Sequence, residues 1–136
     1  MNIGHLSANN EGLASALKNG GFDIQIDDDG DIYAEKDGVG AYARVLEGNG
    51  KYIQFFTQFR ANPGMSSADK LMFAMKVCLD RKFPVTMTLT GDASGYRVIH
   101  HVYLKGGVPG EYVAKSMEQF FDSFGYLIEM HEEMFS

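Results

Sequence analysis

An α+β fold on an antiparallel sheet is the class this sequence predicts. Four stretches of period-two alternation follow one another between residues 22 and 59 with only short turn signals between them. A threonine row, Thr86, Thr88 and Thr90, alternates with Val85, Met87 and Leu89 and marks a further strand with one wetted face. Segments of helical spacing lie before, between and after these strands. At 136 residues the chain has the size of one domain, and a single domain over 1–136 is expected.

Leu6, Leu13, Ala14 and Leu17 recur at helical spacing, and Gly20-Gly21 offers a left-handed stop, so a first helix is read over about 6–19. Phe22, Ile24 and Ile26 then alternate with polar residues. Asp28-Asp29-Gly30 turns the chain, and Ile32 and Ala34 resume the alternation as a hairpin. Asp37-Gly38 turns it again before Val39, Ala41, Ala43 and Val45. Gly48-Asn49-Gly50 is the third turn, ahead of a strand from Tyr52 to Phe59.

Asn62-Pro63-Gly64 ends this meander, and Ser66, with Asp69 three positions on, caps a second helix. Leu71, Met75, Cys78 and Leu79 give that helix its apolar face, and Pro84 closes it. The threonine strand follows. Asp92 to Gly95 turns the chain into a last strand from Tyr96 to Leu104. Gly106-Gly107 break that strand, and Pro109 stands in the first turn of the last helix. The element order is α-β-β-β-β-α-β-β-α, about six strands with the helices packed on one face.

Composition excludes several classes of partner. Twelve Lys and Arg are scattered among eighteen Asp and Glu for a formal charge of −6, which leaves no basic patch for nucleic acid. The longest purely apolar run is Leu71-Met72-Phe73-Ala74-Met75, far short of the roughly 20 residues that span a bilayer. Met1-Asn2-Ile3-Gly4-His5 does not read as a secretory signal. The one cysteine, Cys78, cannot form an internal disulfide and reads as a buried thiol on the apolar stripe. A cytoplasmic location is expected.

No catalytic, metal or cofactor motif holds up. Asp27-Asp28-Asp29-Gly30-Asp31 suggests a calcium loop, but setting Gly30 at the sixth position puts Gln25 at the first and Lys36 at the twelfth, and strands flank it. It reads as an acidic hairpin turn. Neighbours on a strand point to opposite faces, so His100 and His101 cannot readily share a metal; His100 belongs with Val98 and Val102 toward the core, His101 with Arg97 and Tyr103. In Gly91-Asp92-Ala93-Ser94-Gly95 the serine sits one place late for a nucleophile elbow and a strand follows. Neither Gly48-Asn49-Gly50-Lys51 nor Gly38-Val39-Gly40 has the spacing of a phosphate loop. Gly106-Gly107 precede a helix start, but Glu111 already answers its dipole.

The run Ala16-Leu17-Lys18-Asn19-Gly20-Gly21-Phe22, the turn Asp28-Asp29-Gly30-Asp31-Ile32 and above all Tyr103-Leu104-Lys105-Gly106-Gly107-Val108, leading to Glu111-Tyr112-Val113 and Phe120-Phe121, form one pattern. It resembles the YbjN-like family, candidate sensory transduction regulators of bacteria with a fold similar to type III secretion chaperones. The resemblance covers most of the chain. Where family members often carry asparagines after the middle helix, this chain has Leu79-Asp80-Arg81-Lys82. The resemblance implies a bacterial, cytosolic, protein-binding regulator or chaperone-like module, and it brings no catalytic residue.

The expected function is therefore non-enzymatic binding of another protein, without a cofactor. The open sheet face supplies one candidate surface, Gln54, Phe56, Gln58, Thr86, Thr88, Arg97, His101 and Tyr103, an aromatic and polar mixture suited to an interface. The last helix supplies a second. Val113, Met117, Phe120, Phe124 and Leu127 make its core stripe. Unbroken from 110 to 135, it would be about 39 Å long against about 30 Å for the last strand, overhanging the sheet. Met130, Met134 and Phe135 would then be free for a homodimer or a partner groove; the opposing expectation is that Gly125 breaks the helix and the tail folds back. The alternative function is a small-ligand sensor or enzyme with a pocket between helices and sheet.

Overall fold

A computed structural model describes residues 10–136. Helix α1 (Asn10–Asn19) leads into β1 (Asp23–Ile26), β2 (Ile32–Lys36), β3 (Val39–Gly48) and β4 (Gly50–Arg60). Helix α2 (Ser67–Leu79), β5 (Thr86–Leu89), β6 (Gly95–Tyr103) and α3 (Gly110–Met130) follow, with a 3-10 turn at Glu132–Met134. The strands form one six-stranded antiparallel sheet in the order β1-β2-β3-β4-β6-β5, so the expected class and element order hold. Leu6 and the chain start, which entered the readings of the first helix and of a signal, lie outside the described residues. The chain divides into two compact units, one of the described residues up to Phe55 with His101–Phe121, the other of Phe56–His100 with Asp122–Ser136.

In the first unit α1 stops as its glycines dictate. Phe22 N–H donates to the Leu17 carbonyl at 3.1 Å and Gly21 N–H to that of Lys18 at 3.0 Å, with Gly21 at φ +94°. Only a residue free of a Cβ takes that left-handed position without strain. Pairing Ile32 with Ala43 and Ala34 with Ala41 lines up three alanines, all fully buried, on the side where α1 packs through Leu13, Ala16 and Leu17. Asn10 fastens the helix start, donating to the Gly30 carbonyl at 2.9 Å and accepting Val45 N–H at 2.7 Å. Lys36 fastens its end through the Gly20 carbonyl at 3.2 Å and the Glu118 carboxylate at 2.6 Å, its ammonium lying 5.0 Å from the Phe22 ring centre. On β4, Phe55 packs against Phe120 of α3, ring centres 6.0 Å apart.

In the second unit Ser66 caps α2 as expected, its hydroxyl accepting Asp69 N–H at 3.1 Å. The buried face of α2 differs from the expected one. Phe73, Ala74 and Val77 point inward with Lys70, while Leu71, Met75, Cys78 and Leu79 are exposed. The sequence carries two apolar stripes on this helix, and the core selects the one with the phenylalanine, whose ring meets Tyr96 edge-on at 5.4 Å. Lys70 is tolerated inside because its ammonium donates to the Ala93 carbonyl at 2.9 Å. Cys78 is thus an exposed residue, not a core thiol, although its sulfur lies 3.2 Å from the Met87 nitrogen and 3.3 Å from the Met87 oxygen. On β5, Met87 is buried and Thr86 and Thr88 are exposed, as the alternation requires.

The β5–β6 turn is organised by one carboxylate. A single Asp92 oxygen accepts Ser94 Oγ at 2.7 Å, Ser94 N–H at 3.1 Å and Thr90 Oγ1 at 2.9 Å. Gly95 is required on the far side, because a Cβ there would stand 2.6 Å from the Phe59 carbonyl oxygen.

The C-terminal expectation is corrected. Gly125 does not break α3, but the helix ends at Met130, about 32 Å long at 1.5 Å per residue. The tail then folds back: Asn62 N–H donates to the Met134 carbonyl at 3.0 Å and Ser136 N–H to the Arg60 carbonyl at 3.0 Å. These bonds set Phe135 against Phe59, Phe73 and Tyr96, with ring centres between 5.3 and 6.1 Å apart. Met134 and Phe135 are half-buried, and of the three expected interface residues only Met130, 46% exposed, faces outward.

Phe135→Ala is therefore expected to cost about 2–4 kcal/mol in urea unfolding, whereas Met130→Ala costs well under 1 kcal/mol; equal effects would mean that the tail is not packed. The hydrogen bonds from Ser94, then Thr90, hold the Asp92 carboxyl down at about 2, from an ordinary 3.8. A depressed carboxylate stabilises the fold fully above its unfolded value and stops doing so as pH falls through its folded one. The melting-temperature gap between the wild type and Ser94→Ala should thus be constant above about pH 4 and close between about pH 4 and 2. A gap unchanged at pH 2 would exclude this role.

Candidate functional site

Strand parity decides what each sheet face offers, because side chains alternate. In the first unit Ile32, Ala34, Ala41, Ala43, Ile53 and Phe55 are spent on the core. Their neighbours Tyr33, Tyr42, Arg44, Tyr52, Gln54, His101 and Tyr103 therefore occupy the opposite face, half-buried or exposed. Tyr103 is 70% exposed.

This face is internally connected. Arg44 donates to Gln54 Oε1 through Nε at 3.0 Å and Nη2 at 2.9 Å, and Gln54 Nε2 lies 3.1 Å from His101 Nε2. With its amide oxygen occupied by two donors, Gln54 presents its NH₂ to the histidine. Arg44 is held from the other side by Asp31, 3.8 Å away. Tyr52 meets the His101 ring edge-on at 5.0 Å and lies 6.0 Å from Tyr103. Tyr33 and Tyr42, opposite each other on β2 and β3, stand 5.1 Å apart.

The remaining expected face residues lie in the second unit. Gln58, Thr86 and Thr88 are exposed. Phe56 is not offered to a partner: it is only 8% exposed, because the Arg97 guanidinium covers its ring, 4.5 Å from the ring centre. Arg97 Nε is buried without a hydrogen-bond partner among the described residues, so the ring is the neighbour that accounts for its place. What faces out at this position is the other side of Arg97. His100 is half-buried on the core side, as its parity with Val98 requires.

One surface was missed by sequence reasoning. The outer stripe of α2 leaves Leu71 50%, Met72 58%, Met75 59% and Leu79 83% exposed. With Met87 and Leu89 of β5, at the end of the strand order, Leu71, Met75 and Leu79 line an apolar groove of about 480 Å³. The signal was present in the sequence, for a helix with apolar residues on opposite sides has more apolar surface than one core can take. A second, shallow cleft of about 430 Å³ lies at the C-terminal end of α2, with Asp80, Arg81, Phe83 and His100 in its wall. Among the described residues, no three His, Cys, Asp or Glu side chains are grouped to hold a metal. The acidic turn instead uses Asp27, whose Oδ1 accepts Asp29 N–H at 3.0 Å and Asp31 N–H at 2.9 Å.

No protein-family model matches the chain, and no curated protein does. Among solved structures, the chain is similar to YbjN from E. coli, a candidate transcription regulator, with a TM-score of 0.71 at 14% identity over 93% of this chain and 92% of that one. The fold is therefore YbjN-like.

Calcium is expected to leave the melting temperature unchanged. A site present at a hundred times its dissociation constant would add about 2.7 kcal/mol; a calcium-dependent rise of that size, lost in Asp27→Asn, would show the acidic turn to be a site after all.

Proposed function

We propose that the chain is a non-enzymatic protein-binding regulator, a chaperone-like module that self-associates and acts in the bacterial cytoplasm, with residues 1–136 forming one YbjN-like domain. The observation that carries this reading is the cluster of Tyr52, His101 and Tyr103, tied by Gln54 to Arg44 on the sheet face that the core does not use. Aromatic rings packed against one another, with His101 held by Gln54, give large contact area at little entropic cost, which is what interface hot spots are made of. The expected partner residues His101, Tyr103 and Arg97 keep this role; Phe56 serves by supporting Arg97. YbjN, described as a candidate regulator, supports a regulatory role by fold. A protein is the partner favoured over nucleic acid, because the formal charge is −6 and no basic run exists. No helix among the described residues is long and apolar enough to cross a membrane.

The alternative, a small-ligand sensor or enzyme, would use the cleft of about 430 Å³ beside His100. Its volume is within the range of ligand sites, but it lacks the enclosure that buries most of a ligand.

Affinity capture from a bacterial lysate tests the first reading. His101→Ala and Tyr103→Ala should each weaken a captured partner by roughly 30-fold, about 2 kcal/mol, while Thr88→Ala leaves it unchanged. Capture indifferent to both variants, together with a metabolite that raises the melting temperature of the wild type but not of His100→Ala, would favour the ligand reading.

A further inference from the structure

Lys36 is answered by Glu118, Arg44 by Gln54 and Asp31, and Lys70 by the Ala93 carbonyl. Arg97 is answered only by a ring. Its guanidinium lies 4.5 Å from the centre of Phe56, which is buried beneath it. Among the described residues none of its N–H groups meets an acceptor, the buried Nε included. A guanidinium presents five donors in a planar fork that matches a carboxylate, and a donor taken from water without an acceptor costs free energy. The ring beneath holds that fork in one place before any ligand arrives.

The surroundings of Arg97 are polar and carry no negative charge. Thr88 stands opposite it on β5. On the β4 side, Ala61 N–H donates to the Ser94 carbonyl at 3.0 Å, and Gly95 lies against the backbone of Phe59 and Arg60. Counting back three residues along these antiparallel strands brings Gln58 beside Arg97. Gln58 and Thr88 are exposed, and neither side chain is bonded among the described residues. Arg60, two residues on from Gln58, shares this outer face and is exposed as well. In a chain with eighteen Asp and Glu, strands β4, β5 and β6 contain none. Asp92, in the turn that joins β5 to β6, is committed to Ser94 and Thr90.

We infer that Arg97 receives a carboxylate of the bound protein, an Asp or Glu side chain gripped by two parallel N–H donors, with Gln58 and Thr88 beside it and Arg60 adding charge. This rests on the protein-binding reading above and gives the partner a chemistry, an acidic segment laid over the second unit's sheet face. One guanidinium held between two neutral groups matches one negative charge better than the two of a phosphate. A chain of formal charge −6 disfavours an acidic segment over most of its surface, so a face without carboxylates supplies position as well as affinity.

Side-chain nitrogen–proton spectra follow the Arg97 Nε–H directly, its signal assigned by its loss in Arg97→Lys. Acetyl-tetraglutamate amide at millimolar concentration should shift that signal, progressively less as sodium chloride is raised, while acetyl-tetraglutamine amide leaves it in place. Arg97→Lys keeps the charge and loses the fork, so it should bind the acidic peptide about tenfold more weakly, with urea unfolding confirming that the variant folds. Arg60→Gln, which leaves the stack on Phe56 intact, should weaken it by a smaller factor. Equal shifts with tetraglutamine, or Arg97→Lys binding at wild-type strength, would overturn the inference. So would inorganic phosphate displacing the peptide at lower concentration than acetate does, which would assign the fork to phosphate. A captured protein lost in His101→Ala but retained in Arg97→Lys would overturn it too, and would leave the protein-binding reading standing. A peptide shift at Arg97 with no protein captured would sink that reading and keep the carboxylate site.

Discussion

Phe73 sets the rotation of α2, and much of the second unit follows from it. Its ring contacts Tyr96 on β6, His131 after α3 and Phe135 in the tail, with centres 5.4, 5.2 and 5.9 Å away. A helix can present one residue at a time to such a cluster. Once Phe73 is inside, Val77 and Ala74 follow it by helical spacing, Lys70 is drawn in and needs the Ala93 carbonyl, and Leu71, Met75 and Leu79 are turned outward. An aromatic ring buries more area than a leucine and gains edge-on contacts besides, so the stripe with fewer aliphatic residues is the one the core takes. The same cluster accounts for the tail, since Phe135 finds three aromatic neighbours there that solvent cannot match. Tyr96 belongs to this group; burial pushes its phenol up, and its hydroxyl has no hydrogen-bond partner among the described residues.

The first unit is governed by a different constraint, the alanine row of β2 and β3. Ala34, Ala41 and Ala43 contribute little area, so α1 must come close to bury anything, and its ends are fixed by polar bonds from Asn10 and Lys36. Just past the helix, Gly20 leaves room for α3, for a Cβ there would collide with that of Ala114. With small residues inside, the large side chains of these strands fall on the opposite face by parity alone. The tyrosine-rich outer surface is thus partly a consequence of close helix packing within.

The legible parts of the sequence were those decided by neighbours in the chain. Turns with Asp37-Gly38 and Gly30, the glycine stop after α1, the Ser66 cap and the alternation of Thr86 to Leu89 all depend on residues within five positions, and each stands where it was read. What went unread depended on distant partners. The tail is held by Arg60, Ala61 and Asn62, more than seventy positions away, so its helical periodicity suggested an overhang that long-range bonds remove. Phe56 looked available because nothing in its own strand covers it; Arg97 does, from forty-one positions on. Helix α2 had two valid apolar stripes, and choosing between them needed the location of Tyr96 and Phe135. His101 and Tyr103 were placed on the outer face from parity, but the link of His101 to Arg44 through Gln54 joins three strands and could not be seen in any one of them.

The two surfaces left by this packing differ in kind, and the difference bears on what each can do. On the sheet face, polar groups answer one another before any partner arrives: Arg44 is committed to Gln54 and Asp31, Gln54 to His101, and His101 to the edge of Tyr52. Such a surface is pre-organised, and selects by shape and by hydrogen-bond pattern, because a mismatched partner would leave these groups dry and unpaired. The outer stripe of α2 has no such pattern. Leucine and methionine reward any apolar surface of roughly the right form. The aromatic face is thus fixed by bonds within itself, whereas the outer stripe of α2 is fixed only by what the inner side of the helix packs against.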